Sequence, residues 1–254
     1  MLIKNKLYSG EVTLNFESFR HKYIWEEMDK EVKSVTSVLS VINKPALVNW
    51  ASNMAIDYVS EQIKAGEAYD ELQLASVWQK GRTAHWQKKV DAGDIGTFIH
   101  NWVEKYIKGE STGMPVNPEL KEAISKFLAW VEKHNVKFLL SEQVIFSKKY
   151  KYCGTTDFIC TIDGKMYIGD LKTSNGIYPE MWLQTSAYRR ARSEEFPTEK
   201  YHGQLILRIG KDGTFEFART TDNKAYRKMF EAFVSALTLS NAMEELKIFK
   251  PEKN

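Results

Sequence analysis

The sequence predicts a mixed α/β fold: a mainly helical part over residues 1–134, then a mixed-sheet core with a C-terminal helix over 135–254. Three observations carry this. Apolar residues recur every three or four positions through much of the first half, the helical period, whereas short β-rich runs dominate after residue 136. Prolines stand where helices would begin, at Pro45, Pro118 and Pro179. Asp163-Gly164 separates two β-rich runs, the strongest short-range signal for a hairpin.

The elements follow in order. Residues 7–25 contain β-like stretches such as Val12-Thr13-Leu14-Asn15-Phe16. Ser34 and Thr36 offer N-caps before Val38, Leu39, Val41 and Ile42. Pro45 opens a helix with Leu47, Val48, Trp50, Ala51, Met54, Ala55 and Tyr58 at helical spacing. Residues 70–108 read as further helix, Asp94 capping a segment that carries Ile95, Phe98, Ile99, Trp102, Val103 and Tyr106. Residues 118–134 form an amphipathic helix. Strands follow over 136–147, 155–162 and 165–172, then a helix from Pro179 to about Arg192. A second hairpin, 201–209 and 214–219, turns at Lys211-Asp212-Gly213, and a last helix covers 222–246. The second half thus reads β-β-β-α-β-β-α, one domain built round a small sheet.

Composition excludes several classes. At 43% hydrophobic and 27% charged, the 254 residues match a globular chain rather than a disordered one. No apolar run approaches the ~20 residues of a membrane span, and Met1–Lys6 lacks the marks of a signal peptide. A net charge of +3 permits a nucleic-acid partner without requiring one. Two cysteines, Cys153 and Cys160, are too few for a disulfide framework or a four-cysteine metal cluster, which fits a reducing cytoplasm.

The informative stretch is Gly154-Thr155-Thr156-Asp157 through Asp163-Gly164 to Gly169-Asp170-Leu171-Lys172-Thr173-Ser174. A two-residue turn at Asp163-Gly164 pairs Ile162 with Lys165, Ile159 with Ile168 and Asp157 with Asp170. Side chains at opposed positions share a face, about 4.5–5.5 Å apart, so two acids would meet there, with Lys172 on the same side. Such a pair needs a raised pKa or a cation between its members, and a hard divalent ion such as Mg2+ or Mn2+ suits carboxylate oxygens. A plain salt bridge, with Lys172 neutralising both acids, is the structural alternative.

Other groups surround this hairpin. Gln184 and Tyr188 share one helical face. His100 and Glu104 share another, and His100 between apolar neighbours reads first as a structural histidine. Glu142 reads first as an ordinary strand-edge charge. The basic runs Lys148-Lys149-Lys151 and Arg189-Arg190-Arg192 could track a phosphate backbone or simply be solvated. Trp78, Trp86 and Trp102 could stack bases or belong to the core.

The order Gly154-x-x-Asp157, Gly169-Asp170-Leu171-Lys172-Thr173-Ser174 and Gln184-x-x-x-Tyr188 resembles the PD-(D/E)XK nuclease superfamily. More closely it resembles the RecB-type exonuclease branch, to whose histidine-bearing helix Gly96-x-x-x-His100 is similar. Ser34–Leu39 and Lys44-Pro45-Ala46-Leu47-x-x-Trp50-Ala51 resemble phage exonucleases and the mitochondrial genome maintenance exonuclease. The resemblance implies a restriction-endonuclease-like αβββαβ core and an exonuclease that cleaves DNA at single strands or ends. Asp157, Asp170, the Leu171 carbonyl and His100 would bind Mg2+ or Mn2+, and Lys172 would orient or help deprotonate the attacking water. Gln184 and Tyr188 would support the site and contact the strand. Thr173, Ser174, Lys149 and Arg189 would contact nucleic acid. The second acid is Asp170 where many members carry Glu, and the cysteines of the iron–sulfur relatives are missing, so no such cluster is expected. The setting implied is the cytoplasm of a bacterium or phage-infected cell, with recombination or repair partners and no membrane. The rival reading is a nucleic-acid-binding module on the same scaffold without the chemistry.

Overall fold

A computed structural model describes residues 2–42 and 44–248. In chain order the elements are strands β1 (Leu2–Leu7), β2 (Val12–Glu17), β3 (Lys22–Trp25) and β4 (Lys30–Ser34), then helices α1 (Val35–Leu39), α2 (Pro45–Gln62), α3 (Glu71–Ile107) and α4 (Pro118–Lys133). Strands β5 (Lys137–Ser147), β6 (Tyr152–Ile162) and β7 (Lys165–Lys172) follow, then α5 (Pro179–Glu195), β8 (Tyr201–Ile209), β9 (Phe215–Thr220) and α6 (Asn223–Glu245). The fold is mixed α/β, and the second half has the expected order β-β-β-α-β-β-α.

Two compact units divide the chain: residues 1–41 with 100–254, and residues 42–99. The first holds one nine-stranded sheet in the order β1-β2-β3-β4-β6-β7-β8-β9, with β5 on the other side of β6. Most pairs are antiparallel; β4 with β6 and β7 with β8 are parallel. The second holds α2 and residues 71–99 of α3. There, a side chain at Gly81 would come within 3.0 Å of Val59, so the bare glycine lets the two helices approach closely.

Two sequence expectations need correction. Residues 2–34, grouped with the helical part, hold an antiparallel meander of four strands, and the first α-helix starts at Val35. Leu7, Val12, Leu14 and Val32 bury against Phe146 and Cys153, far along the chain, a tertiary contact that no local period announces. Asp94 caps nothing: it is an exposed position within the single helix α3, which runs through Gly93 at the modest cost of about 1 kcal/mol for a helical glycine.

Local chemistry accounts for the other helix starts. Ser34 Oγ accepts from the Ser37 amide at 3.1 Å, Asn117 Oδ1 from Leu120 at 2.9 Å and Asp222 Oδ1 from Lys224 at 2.7 Å. Pro45, Pro118 and Pro179 each open a helix as read. Helix α4 buries Leu120, Ile124, Phe127 and Trp130, with the Phe127 ring 5.9 Å from Phe215 and Trp130 5.2 Å from Phe217. Helix α5 is fixed to β6 where the Tyr152 hydroxyl donates to the Ala187 carbonyl at 2.7 Å. The Phe233 ring of α6 meets Tyr152 edge-on at 4.8 Å.

Candidate functional site

The hairpin forms as its turn residues dictate. Asp163 and Gly164 take φ of +50° and +75°, the two left-handed positions of a type I′ turn. Ile162 pairs with Lys165, Ile159 with Ile168 and Phe158 with Gly169. One step further lie Asp157 and Asp170. There Asp157 Oδ2 accepts the Leu171 amide at 2.6 Å. Gly169 is required at this opening: a Cβ there would lie 2.1 Å from the Phe158 ring.

A second strand brings a third acid. The β5–β6 register shifts by one between Phe138 and Leu140, a bulge, after which Ser141 faces Phe158 and Gln143 faces Thr156. Glu142, between them, stands level with Asp157, and its φ of +50° is uncommon for a side chain of its kind. From α3, His100 Nδ1 lies 3.8 Å from Asp157 Oδ1. His100, Glu142 and Asp157 each offer one ligand atom, and these atoms lie within 4.8 Å of one another.

Asp170, 2% exposed, belongs to an adjoining network. Its Oδ2 lies 2.5 Å from Lys172 Nζ, and its Oδ1 accepts from Gln184 Nε2 at 2.9 Å. Lys172 Nζ donates to Gln184 Oε1 at 3.0 Å, and Gln184 Nε2 also donates to the Tyr188 hydroxyl at 2.7 Å. The Tyr188 ring has room only because Gly154 lacks a side chain: a Cβ there would lie 2.9 Å from it.

The charges are under stress. Burial, then the charge of Asp170, pushes the Asp157 carboxyl well above the usual carboxylate range, against the pull of Lys172. Burial and Glu104 push Glu142 up to about 7, though its side chain remains open to solvent on one side. Burial lowers His100, with Asp170 opposing, which favours the neutral imidazole that can serve as a ligand. Burial would lower Lys172, but Asp170 and Asp157 outweigh it and hold the ammonium above its ordinary value.

A divalent ion fits this set. Two carboxylates and one imidazole suit Mn2+ or Mg2+. Ligand atoms around one ion with bonds of about 2.1 Å lie up to about 4.2 Å apart, so a small inward rotation of these side chains would close the cluster.

The structure therefore brings together Asp157, Asp170, Lys172, Gln184, Tyr188 and His100. Gln184 and Tyr188 are buried partners in the network rather than exposed or merely core residues. The Leu171 amide ties Asp157 to β7. The loop through Thr173 and Ser174 is pinned by Arg208, whose Nε donates to the Ser174 carbonyl at 2.5 Å. Two of the residues expected to contact nucleic acid make contacts of their own within the protein. Arg189 donates to the Tyr201 carbonyl at 2.9 Å and Asn223 Oδ1 at 3.1 Å and stacks on Tyr226, tying α5 to β8 and α6. Lys149 is exposed beside the Tyr150 ring. Of the tryptophans, Trp102 is buried, while Trp78 and Trp86 are exposed. Sequence reading undervalued Glu142. Counting β5 against β6 through the four-residue turn from Ser147 to Tyr152 would have set it level with Asp157.

No family model and no curated protein matches this chain. Among solved structures it is similar to SSO0001, at 12% identity over 74% of this chain and 86% of that one, with a TM-score of 0.29, too remote a likeness to bear on fold or chemistry. Fold and site together define a mixed α/β protein with a carboxylate–histidine cluster at the open end of a hairpin. Among the described residues, no helix is long and apolar enough to cross a membrane.

Proposed function

We propose that this protein is a metal-dependent nuclease of the PD-(D/E)XK type, an exonuclease that hydrolyses phosphodiester bonds in DNA at single strands or ends. The observation that carries the reading is the buried network of Asp170, Lys172, Gln184 and Tyr188 beside Asp157, the signature residues in one place. On this reading α4, β5, β6, β7, α5 and β8 are the αβββαβ core.

Hydrolysis needs a placed water and cover for growing negative charge. Mg2+ or Mn2+, held by Asp157 and His100 beside Asp170, would supply a Lewis acid for the phosphoryl oxygen and acidify water. Lys172 works as a fixed cation. Its raised pKa keeps it charged at neutral pH, so it acts by orienting the attacking water and offsetting phosphate charge rather than as a general base. Asp170 and Gln184 take two of its three N–H donors, leaving one for water or a phosphate oxygen. Gln184 holds acid and ammonium at a fixed separation, and Tyr188 fixes Gln184.

The test is digestion of end-labelled single- and double-stranded DNA and RNA with Mg2+ or Mn2+. EDTA should abolish cleavage, and Asp170→Asn or Lys172→Ala should lower it about a hundredfold or more in folded protein. Cleavage that survives both EDTA and Asp170→Asn overturns the proposal. Salt-sensitive DNA binding with no product would make the chain a binding module instead.

A further inference from the structure

We propose that Glu142 is a metal ligand, completing with His100 and Asp157 a three-residue divalent-cation site on the β5 side of Asp157. This deepens the nuclease reading and rests on it for the kind of ion, but not on any cleavage step. Glu142 lies outside the signature that pointed to the hairpin.

Geometry is the first argument. The three side chains come from separate elements, α3, β5 and β6, yet their ligand atoms converge within 4.8 Å. The register that runs from the turn between Ser147 and Tyr152 sets Glu142 level with Asp157, and the backbone at Glu142 is left-handed. The donor set, two carboxylates and an imidazole, favours Mn2+ over the all-oxygen preference of Ca2+. Glu142 is exposed while His100 and Asp157 are half-buried, so the cluster is open to an ion from solvent.

Unmet charge is the second argument. Next to the cluster, the buried Asp170 is already matched, its Oδ2 lying 2.5 Å from the Lys172 ammonium. One ammonium thus serves Asp170 while Asp157 and Glu142 face each other. Lys108, whose charge reaches Glu142, is bound to Glu104 at 2.5 Å. Glu104 is therefore a useful control: it shares the local field but not the cluster.

Mn2+ is titrated into the full chain by calorimetry and by electron paramagnetic resonance, without nucleic acid. Wild type should bind Mn2+, Glu142→Gln should weaken it at least tenfold, and Glu104→Gln should change it less than threefold. Should Glu142→Gln fail to fold, Glu142→Asn, a residue type at ease in left-handed backbone, gives the same comparison. Wild-type affinity in the Glu142 variant, an equal loss from Glu104→Gln, or no binding by wild type at millimolar Mn2+ overturns the inference. Glu142-dependent binding without DNA cleavage would sink the nuclease reading alone. Cleavage with Glu142-independent binding would sink the inference alone.

Discussion

The Gln184 amide has one carbonyl and two N–H groups, and each has a partner: Lys172, Asp170 and Tyr188. An amide flip would set its carbonyl against the Asp170 carboxylate, so the orientation is fixed by charge. Gln184→Leu keeps the bulk and removes the bonds. Asp170 Oδ1 then lacks its donor, and each such unsatisfied group costs about 1–3 kcal/mol. We expect the variant to lose about 2–4 kcal/mol of stability by urea denaturation, summing the carboxylate and the ammonium, and to lose cleavage with it. Tyr188→Phe removes one neutral hydroxyl and should cost about 1 kcal/mol. Equal losses in the two variants would show that Gln184 does not bridge the charges.

At the scale of the element, the hairpin's opening depends on Phe158 and Gly169. Phe158 is fully buried and its ring occupies the space a Gly169 side chain would need. Gly169→Ala should therefore overpack the strands at about 1–3 kcal/mol. Phe158→Leu in the same chain should return part of that loss, a coupling of about 0.5–3 kcal/mol in a double-mutant cycle. Additive losses would show that ring and glycine act separately. The same hairpin shows what the sequence made legible. Asp163-Gly164 determines turn and register locally, so the placement of Asp157 and Asp170 could be counted from the turn. Proline starts and side-chain caps likewise mark helix ends within a few residues. The four N-terminal strands were less legible, since β4 finds its place by parallel pairing of Lys33 and Ser34 with Tyr152 and Cys153. Glu142 was less legible because its count starts from the four-residue turn between Ser147 and Tyr152, which carries no Asp-Gly signal. The first depends on partners more than a hundred residues away and the second on a turn without a strong dipeptide signal, neither of which leaves a periodic trace.

At the scale of the whole molecule, the crowded acids should tie stability to pH and to divalent ions. Asp157 and Glu142 have folded pKa values above those of the unfolded chain. Between the two values the folded protein holds the proton and the unfolded chain has released it. Stability from this source is thus greatest at low pH and declines as pH rises from about 4 towards 7. His100 runs the other way: its lowered pKa means that stability is lost as pH falls below about 6.5. With two acids against one imidazole, the ion-free protein in EDTA should show a urea midpoint that declines from pH 5 to pH 8, and Glu142→Gln should flatten that decline. A divalent ion prefers the ionised carboxylates, so adding Mn2+ should raise the midpoint more at pH 8 than at pH 5. A midpoint that rises steadily from pH 5 to pH 8 in EDTA, with no difference between wild type and the Glu142 variant, would show that these carboxylates are ionised at no cost and that the cluster stores no charge for a cation to neutralise.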